Sequence, residues 1–290
     1  MIPWSRPKPP HTERLVIGYR RDVEDVLRAA IALKREPTAT LVCGRDEDEV
    51  RAKLRLYCGD IRVMASELVP HVPASLKLRL REKPPRVGSR CLPSLYTYIA
   101  FSLRHKRCVP DELVKLLARH YPDIGQVLAR KDDLSLKYFR QHMDVLRENE
   151  RLKAHSRPRP ARDVMYVEIC PEHDVVDLYL EWLGRRVTDR ASLVKASGRF
   201  YLVNANYLGH NRWMKEVSAD EAKRLAGDLP EEDNAAWAMY YDSQMIESRR
   251  NKALAKKMLP AKYSYISPDV RLERYKIEHG IPKHSLDDFS

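Results

Sequence analysis

Residues 156–169 read SRPRPARDVMYVEI, and the change of pattern within them decides the fold. In SRPRPA (156–161) two prolines stand between arginines, and neither can continue a helix. Before this stretch apolar residues recur mostly at helical spacing. After it, MYVEI (165–169) alternates apolar and polar positions, the period of a strand. Pro171 then begins an expected helix, PEHDVVDLYLEWL (171–183), with Glu172 and Asp174 in its first turn. The expectation is an α+β protein with a mostly helical N-terminal half and a small antiparallel sheet with helices in the C-terminal half. The expected divisions are a flexible basic Pro-rich arm over 1–13, a mainly helical region over 14–157, an α+β region over 158–270 and a charged tail over 271–290.

Upstream of the boundary, RLVIGY (14–19) reads as a strand. Asp22 opens a helix with Val23, Val26, Leu27, Ala30 and Ile31 on one face, ended by Pro37. TLVC (40–43) is a second strand. Asp46, Glu47, Asp48 and Glu49 crowd the start of the next helix, where carboxylates suit the dipole. Further helices are expected over 74–82, 92–105, 111–120, 123–131 and 134–152. In the last of these His142 stands beside the stripe of Leu136, Phe139, Met143 and Leu146, as a structural histidine would.

Downstream, two strands over 192–196 and 200–205 flank Ser197-Gly198, a hairpin turn, and 212–217 adds an edge strand. Ser218 caps a helix with Glu221 at the reciprocal capping-box position. A helix from about residue 231 leads into WAMYYDSQMIESRRNKALAKKMLPAKYSYISPD (237–269).

Composition bounds the function. The chain has 290 residues, 43% hydrophobic and 32% charged, enough for a sizeable core in a soluble protein. The net charge of +12 and pI near 9.4 bias its partners toward polyanions. No apolar run suits a bilayer and the N-terminus has no secretory apolar core, so a cytoplasmic protein without a membrane partner is expected. The five cysteines are scattered without metal-ligand spacing, and no metal or cofactor is implied. Ten glycines form no phosphate cradle, and no nucleophile elbow is present.

Two groups carry candidate chemistry. Glu168, Glu172, His173 and Asp174 gather at a strand-to-helix junction, where an imidazole beside carboxylates can act as a general acid or base. The alternative is helix capping by Glu172 and Asp174 with His173 as polar surface. Arg249, Arg250, Lys252, Lys256, Lys257 and Lys262 form the second group. Arg249, Lys252 and Lys256 share one side of a helix, and Arg250 and Lys257 a neighbouring track, as contacts to successive phosphates require. Tyr263 and Tyr265 follow, positioned to stack on bases or to pack inward as one face of a strand.

Four blocks together resemble a domain-of-unknown-function family tied to DNA metabolism. They are MYVEICPEHDVVDLYLEWL (165–183), with its turn Cys170-Pro171-Glu172-His173-Asp174, SRRNKALAKKMLPAKYSYISPD (248–269), YIAFSLRHKRCV (98–109) and LKYFRQHMDVLREN (136–149). The resemblance covers roughly residues 16–269. Leu259 stands as an insertion between Met258 and Pro260, and Ser264 occupies the place of the family's tryptophan. Members of that family are encoded beside a radical-SAM protein, and some are fused to a uracil-DNA-glycosylase-like domain. The resemblance therefore implies a role in DNA modification or repair, with a radical-SAM or glycosylase-type partner protein. It carries over no catalytic residue.

The function expected is that of a DNA-associated accessory protein holding nucleic acid on its basic C-terminal helix. Its rivals are an enzyme acting on a DNA base or modified nucleotide through His173 and a carboxylate, and a protein–protein adaptor.

Overall fold

The computed structural model describes residues 14–81, 93–227, 253 and 268–279. The chain divides into two compact units, Met1–Leu146 and Arg147–Ser290.

The first unit alternates strand and helix. β1 (Leu15–Arg20) leads into α1 (Val23–Arg35), β2 (Thr40–Gly44), α2 (Glu47–Leu54), β3 (Ile61–Met64) and the short α3 (Ala65–Leu68). Asp22 caps α1 by accepting the Asp25 amide at 2.9 Å, and Asp46 caps α2 by accepting that of Glu49 at 2.8 Å. Each such cap stabilises a helix by about 1 kcal/mol. The helical crossovers make the sheet parallel, in the order β2-β1-β3. On one face Val16, Val42 and Met64 pack against Val50 and Leu54 of α2. On the other, Ile17, Tyr19 and Leu41 join the α1 residues in the main core. Both faces are thus covered, as a parallel sheet demands. Gly44 lets α2 sit this close, because a Cβ there would lie 2.8 Å from the Val50 amide nitrogen.

α4 (Ala74–Arg81), α5 (Leu95–Arg104), α6 (Pro110–His120) and α7 (Asp133–His155) follow, with a 3-10 turn over Ile124–Ala129. That turn replaces the α-helix expected over 123–131. α6 packs on α1, and its Leu113, Val114, Leu116 and Leu117 are fully buried. His142 of α7 is buried against Phe101, with ring centroids 5.5 Å apart, and its Nδ1 donates to the Thr97 carbonyl at 3.3 Å.

The second unit is built on a five-stranded sheet in the order β4-β5-β6-β7-β8. The strands are β4 (Arg159–Ala161), β5 (Val164–Ile169), β6 (Ser192–Ala196), β7 (Arg199–Val203) and β8 (Met214–Val217). β5 and β6 run parallel because α8 (Val176–Arg186) carries the chain between them. The other pairings are antiparallel. On one face Tyr166, Leu193, Leu202 and Val217 pack with Ala222 and Ala226 of α9 (Ala219–Ala226). α8 lies on the opposite face, where Gly184 faces Val203, whose side chain alternates with that of Leu202. A further helix spans Pro268–His279.

Mixed α+β architecture is observed, but two expectations are corrected. The C-terminal sheet is mixed, since the helix after β5 is a crossover and forces β6 parallel. The N-terminal half holds a parallel sheet of its own, whose third strand, Ile61–Met64, has an exposed Ile61 and an intervening arginine that mask its periodicity. The boundary stretch SRPRPA contains edge strand β4, where Pro160 costs no central ladder bond.

Candidate functional site

The segment 170–175 joins β5 to α8. The expected helix from Pro171 begins only at Val176, so Glu172, His173 and Asp174 form an irregular turn ahead of it. A residue 25 positions away in the sequence sets that shape. Glu148 of α7, only 2% exposed, accepts the Glu172 amide on Oε1 at 3.0 Å and the His173 amide on Oε2 at 2.8 Å. A buried carboxylate holding two amides is a charge-assisted clamp, and it ties this turn to α7. His173 is half-buried, while Glu172 and Asp174 are exposed; none of the three is without a partner.

Glu168 is the penultimate residue of β5. It pairs with Lys195 of β6 at 3.0 Å, directly across the parallel ladder, and accepts from the Tyr166 hydroxyl at 3.4 Å. Burial pushes the Tyr166 phenol up to about 12, so it stays a donor. The guanidinium of Arg159 lies 5.4 Å from the centre of the Tyr166 ring. The sequence-nominated group therefore sits at the carboxyl ends of β5 and β6, where parallel strands tend to present functional side chains. Among the described residues no group of three or more His, Cys, Asp or Glu side chains could hold a metal ion.

The basic group, Arg249, Arg250, Lys252, Lys256, Lys257 and Lys262, and the tyrosines Tyr263 and Tyr265, lie outside the described residues. Among the described residues no helix is long and apolar enough to cross a membrane.

A second polar cluster, which composition and spacing did not disclose, closes the carboxyl ends of β1 and β2. The Tyr19 hydroxyl donates to Asp111 Oδ1 at 2.5 Å. Burial, then the Asp111 carboxylate, drives the Tyr19 phenol far above its usual range. Arg21 donates to the carbonyls of Leu103 and His105, which draws the α5–α6 connection over the strand ends. Burial pushes the thiols of Cys43 and Cys108 up to about 11. Nearby, Lys137 donates to Glu112 at 2.5 Å and holds that carboxyl low, while the Tyr138 hydroxyl donates to the Val109 carbonyl at 2.7 Å. With its tyrosines and thiols held protonated, this cluster offers no thiolate nucleophile at neutral pH. It works as a polar lock on the first unit.

An apolar cleft of about 520 Å³ opens between α1, α4 and α5, lined by Val23, Leu27, Val72, Leu78 and Tyr96, with Lys77 3.8 Å from Glu24 at its edge.

Compared with known families, residues 109–266 match the one described as a domain of unknown function, DUF4130. The chain belongs to the DUF4130 family. The matched range begins at the Val109 carbonyl that receives Tyr138 and takes in Glu148, the 170–175 turn and the basic stretch to Lys262. β1 through α5 precede the DUF4130 match. No curated protein and no solved structure matches the chain.

Proposed function

We propose that this DUF4130 member is an accessory protein of DNA modification or repair. It binds nucleic acid, DNA in particular, through Arg249, Arg250, Lys252, Lys256, Lys257 and Lys262. Tyr263 and Tyr265 stack on bases beside that track. The observation that carries this reading is segregation of charge. Residues 249–262 hold six cations and no carboxylate, half of the net excess of +12. Many cations elsewhere meet local counter-charges: Arg20 and Arg28 pair with Asp25, Arg51 with Glu47 and Lys215 with Glu221. A run of cations with no carboxylate within it suits the release of counterions at successive phosphates. The bound strand is presented to a partner enzyme of the radical-SAM or glycosylase type, and the accessory protein needs no cofactor or membrane of its own.

A second reading is an enzyme acting on a DNA base, with His173 as acid or base beside Glu172, Asp174 or Glu168. The Glu148 clamp favours it, because it fixes the backbone of His173 at the end of a parallel strand pair. The test combines DNA binding with turnover. Under the accessory reading, replacing Arg249, Arg250 and Lys256 by alanine weakens binding on every sequence and His173→Ala leaves binding intact. Turnover of a base or nucleotide abolished by His173→Ala would establish the enzyme. Neither effect, with an acidic partner protein retained through residues 249–262, would establish an adaptor.

A further inference from the structure

A second surface in the described part of the second unit combines aromatic faces with arginine. The connection from β7 to β8 (204–213) folds against the carboxyl end of α8. Asn204, in the left-handed region at φ 54°, donates from Nδ2 to the carbonyls of Gly184 at 3.0 Å and Val187 at 2.5 Å. The Ala205 amide donates to the Trp213 carbonyl at 3.0 Å and closes the connection on itself.

Two large rings emerge from this frame. Trp213 is 49% exposed, and its ring edge lies 3.3 Å from where a Cβ on Gly184 would stand, so the absent side chain lets the indole rest on the helix. Tyr207 is 53% exposed, and its hydroxyl donates to the Thr188 carbonyl at 2.5 Å. The two anchors, Gly184 in the last turn of α8 and the Thr188 carbonyl just beyond its end, are four residues apart in the chain, so both rings are held at the same end of that helix. Both rings are held while showing half their area to solvent, so they lose little freedom on contact with a ligand.

The charge around them has one sign. Residues 184–190 and 204–213 carry Arg185, Arg186, Arg190 and Arg212 against a single carboxylate, Asp189. Arg185 pairs with Glu181 and Arg190 with Asp189. Arg186 and Arg212 are exposed and have no ion pair among the described residues.

We propose that Tyr207 and Trp213 form a stacking platform for the unpaired bases of a single-stranded nucleic acid, with Arg186 and Arg212 holding its phosphates. Fixed aromatic faces bordered by unpaired cations are what sequence-tolerant strand binding uses. An acidic peptide would satisfy the arginines but leave two half-exposed aromatic faces without a stacking partner. The platform deepens the nucleic-acid reading of this chain and rests on it, yet it places the contact on residues separate from Arg249 to Lys262.

The test is fluorescence anisotropy of the full chain with a labelled oligothymidine strand and with an oligothymidine–oligoadenine duplex. Trp213→Ala and Tyr207→Ala should each weaken strand binding by about 5- to 100-fold, with little change on the duplex. Trp213→Phe should retain most of the affinity. If Trp213→Ala fails to fold, as thermal melting would show, the double change of Arg186 and Arg212 to alanine decides. It should lower the salt slope for the strand by about 1 to 2, and an unchanged slope would overturn the platform. Undiminished strand binding by a folded Trp213→Ala protein, with loss in the Arg249, Arg250 and Lys256 variant, would overturn the platform and leave the proposed function standing. Absence of all nucleic-acid binding at low salt would overturn both. Preference of the wild type for polyglutamate over oligothymidine would make the surface a protein-docking one.

Discussion

The amide of His173 donates to Oε2 of Glu148 at 2.8 Å, and the adjacent amide of Glu172 donates to Oε1 of the same carboxylate at 3.0 Å. One buried side chain on α7 thereby fixes the turn from which α8 departs. Replacing Glu148 by alanine leaves two amides without their acceptor and should cost about 2–4 kcal/mol. Glu148→Gln keeps one acceptor oxygen and should cost roughly half as much. Urea denaturation of both variants measures the difference, and equal stability of Glu148→Ala and wild type would refute the clamp.

Tyr19 and Asp111 form the corresponding tie in the first unit, across 92 residues of sequence. Tyr19→Phe keeps the ring in the core and removes only the hydroxyl, so a loss of about 1–2 kcal/mol is expected. Gly44→Ala should cost more, because the new methyl meets the backbone of α2 at Val50 as well as the Val50 side chain.

The same cluster predicts thiol reactivity. Cys43 and Cys108 are partly buried with thiols pushed up to about 11, whereas Cys58 is exposed. Alkylation by iodoacetamide at neutral pH, followed by peptide mass spectrometry, should label Cys58 well before Cys43 or Cys108. Early labelling of Cys108 would contradict the closed lock.

His142 supplies a pH dependence. Burial lowers its folded value from 6.5 to about 4. In that interval the unfolded chain binds the proton and the folded chain does not, so stability rises with pH. The contribution is complete above about 6.5 and is lost as pH falls toward 4, up to about 3 kcal/mol. His142→Phe, which keeps the ring stack on Phe101, should flatten that part of the stability profile measured by thermal melting.

Local signals made much of the fold legible. Asp22 and Asp46 announced their helices, and Ser197-Gly198 announced a hairpin whose residues adopt φ of 48° and 85°. Ser218 does cap α9, although Glu221 turns to Lys215 at 3.0 Å. The failures have a common cause, which is tertiary contact. Pro171 looks like a helix start, but the residues after it form a turn held to Glu148 of α7, and the helix opens at Val176. The direction of β6 depends on α8 crossing over the sheet, which alternation of side chains does not encode. Glu168, Glu172, His173 and Asp174 were visible because they are close in sequence. Glu148, Asp111 and Trp213 were not, because their partners lie 25, 92 and 29 residues away.

The central claim is that residues 249–262 hold a nucleic-acid backbone. Its most direct test is a salt titration of binding to single- and double-stranded DNA, comparing wild type with the variant carrying alanine at positions 249, 250 and 256. The account predicts tight binding at low salt, a steep linear fall of log affinity with log salt, and a slope shallower by about 2 to 3 in the variant. Equal slopes for the two proteins, or no binding by wild type at low salt, would contradict it.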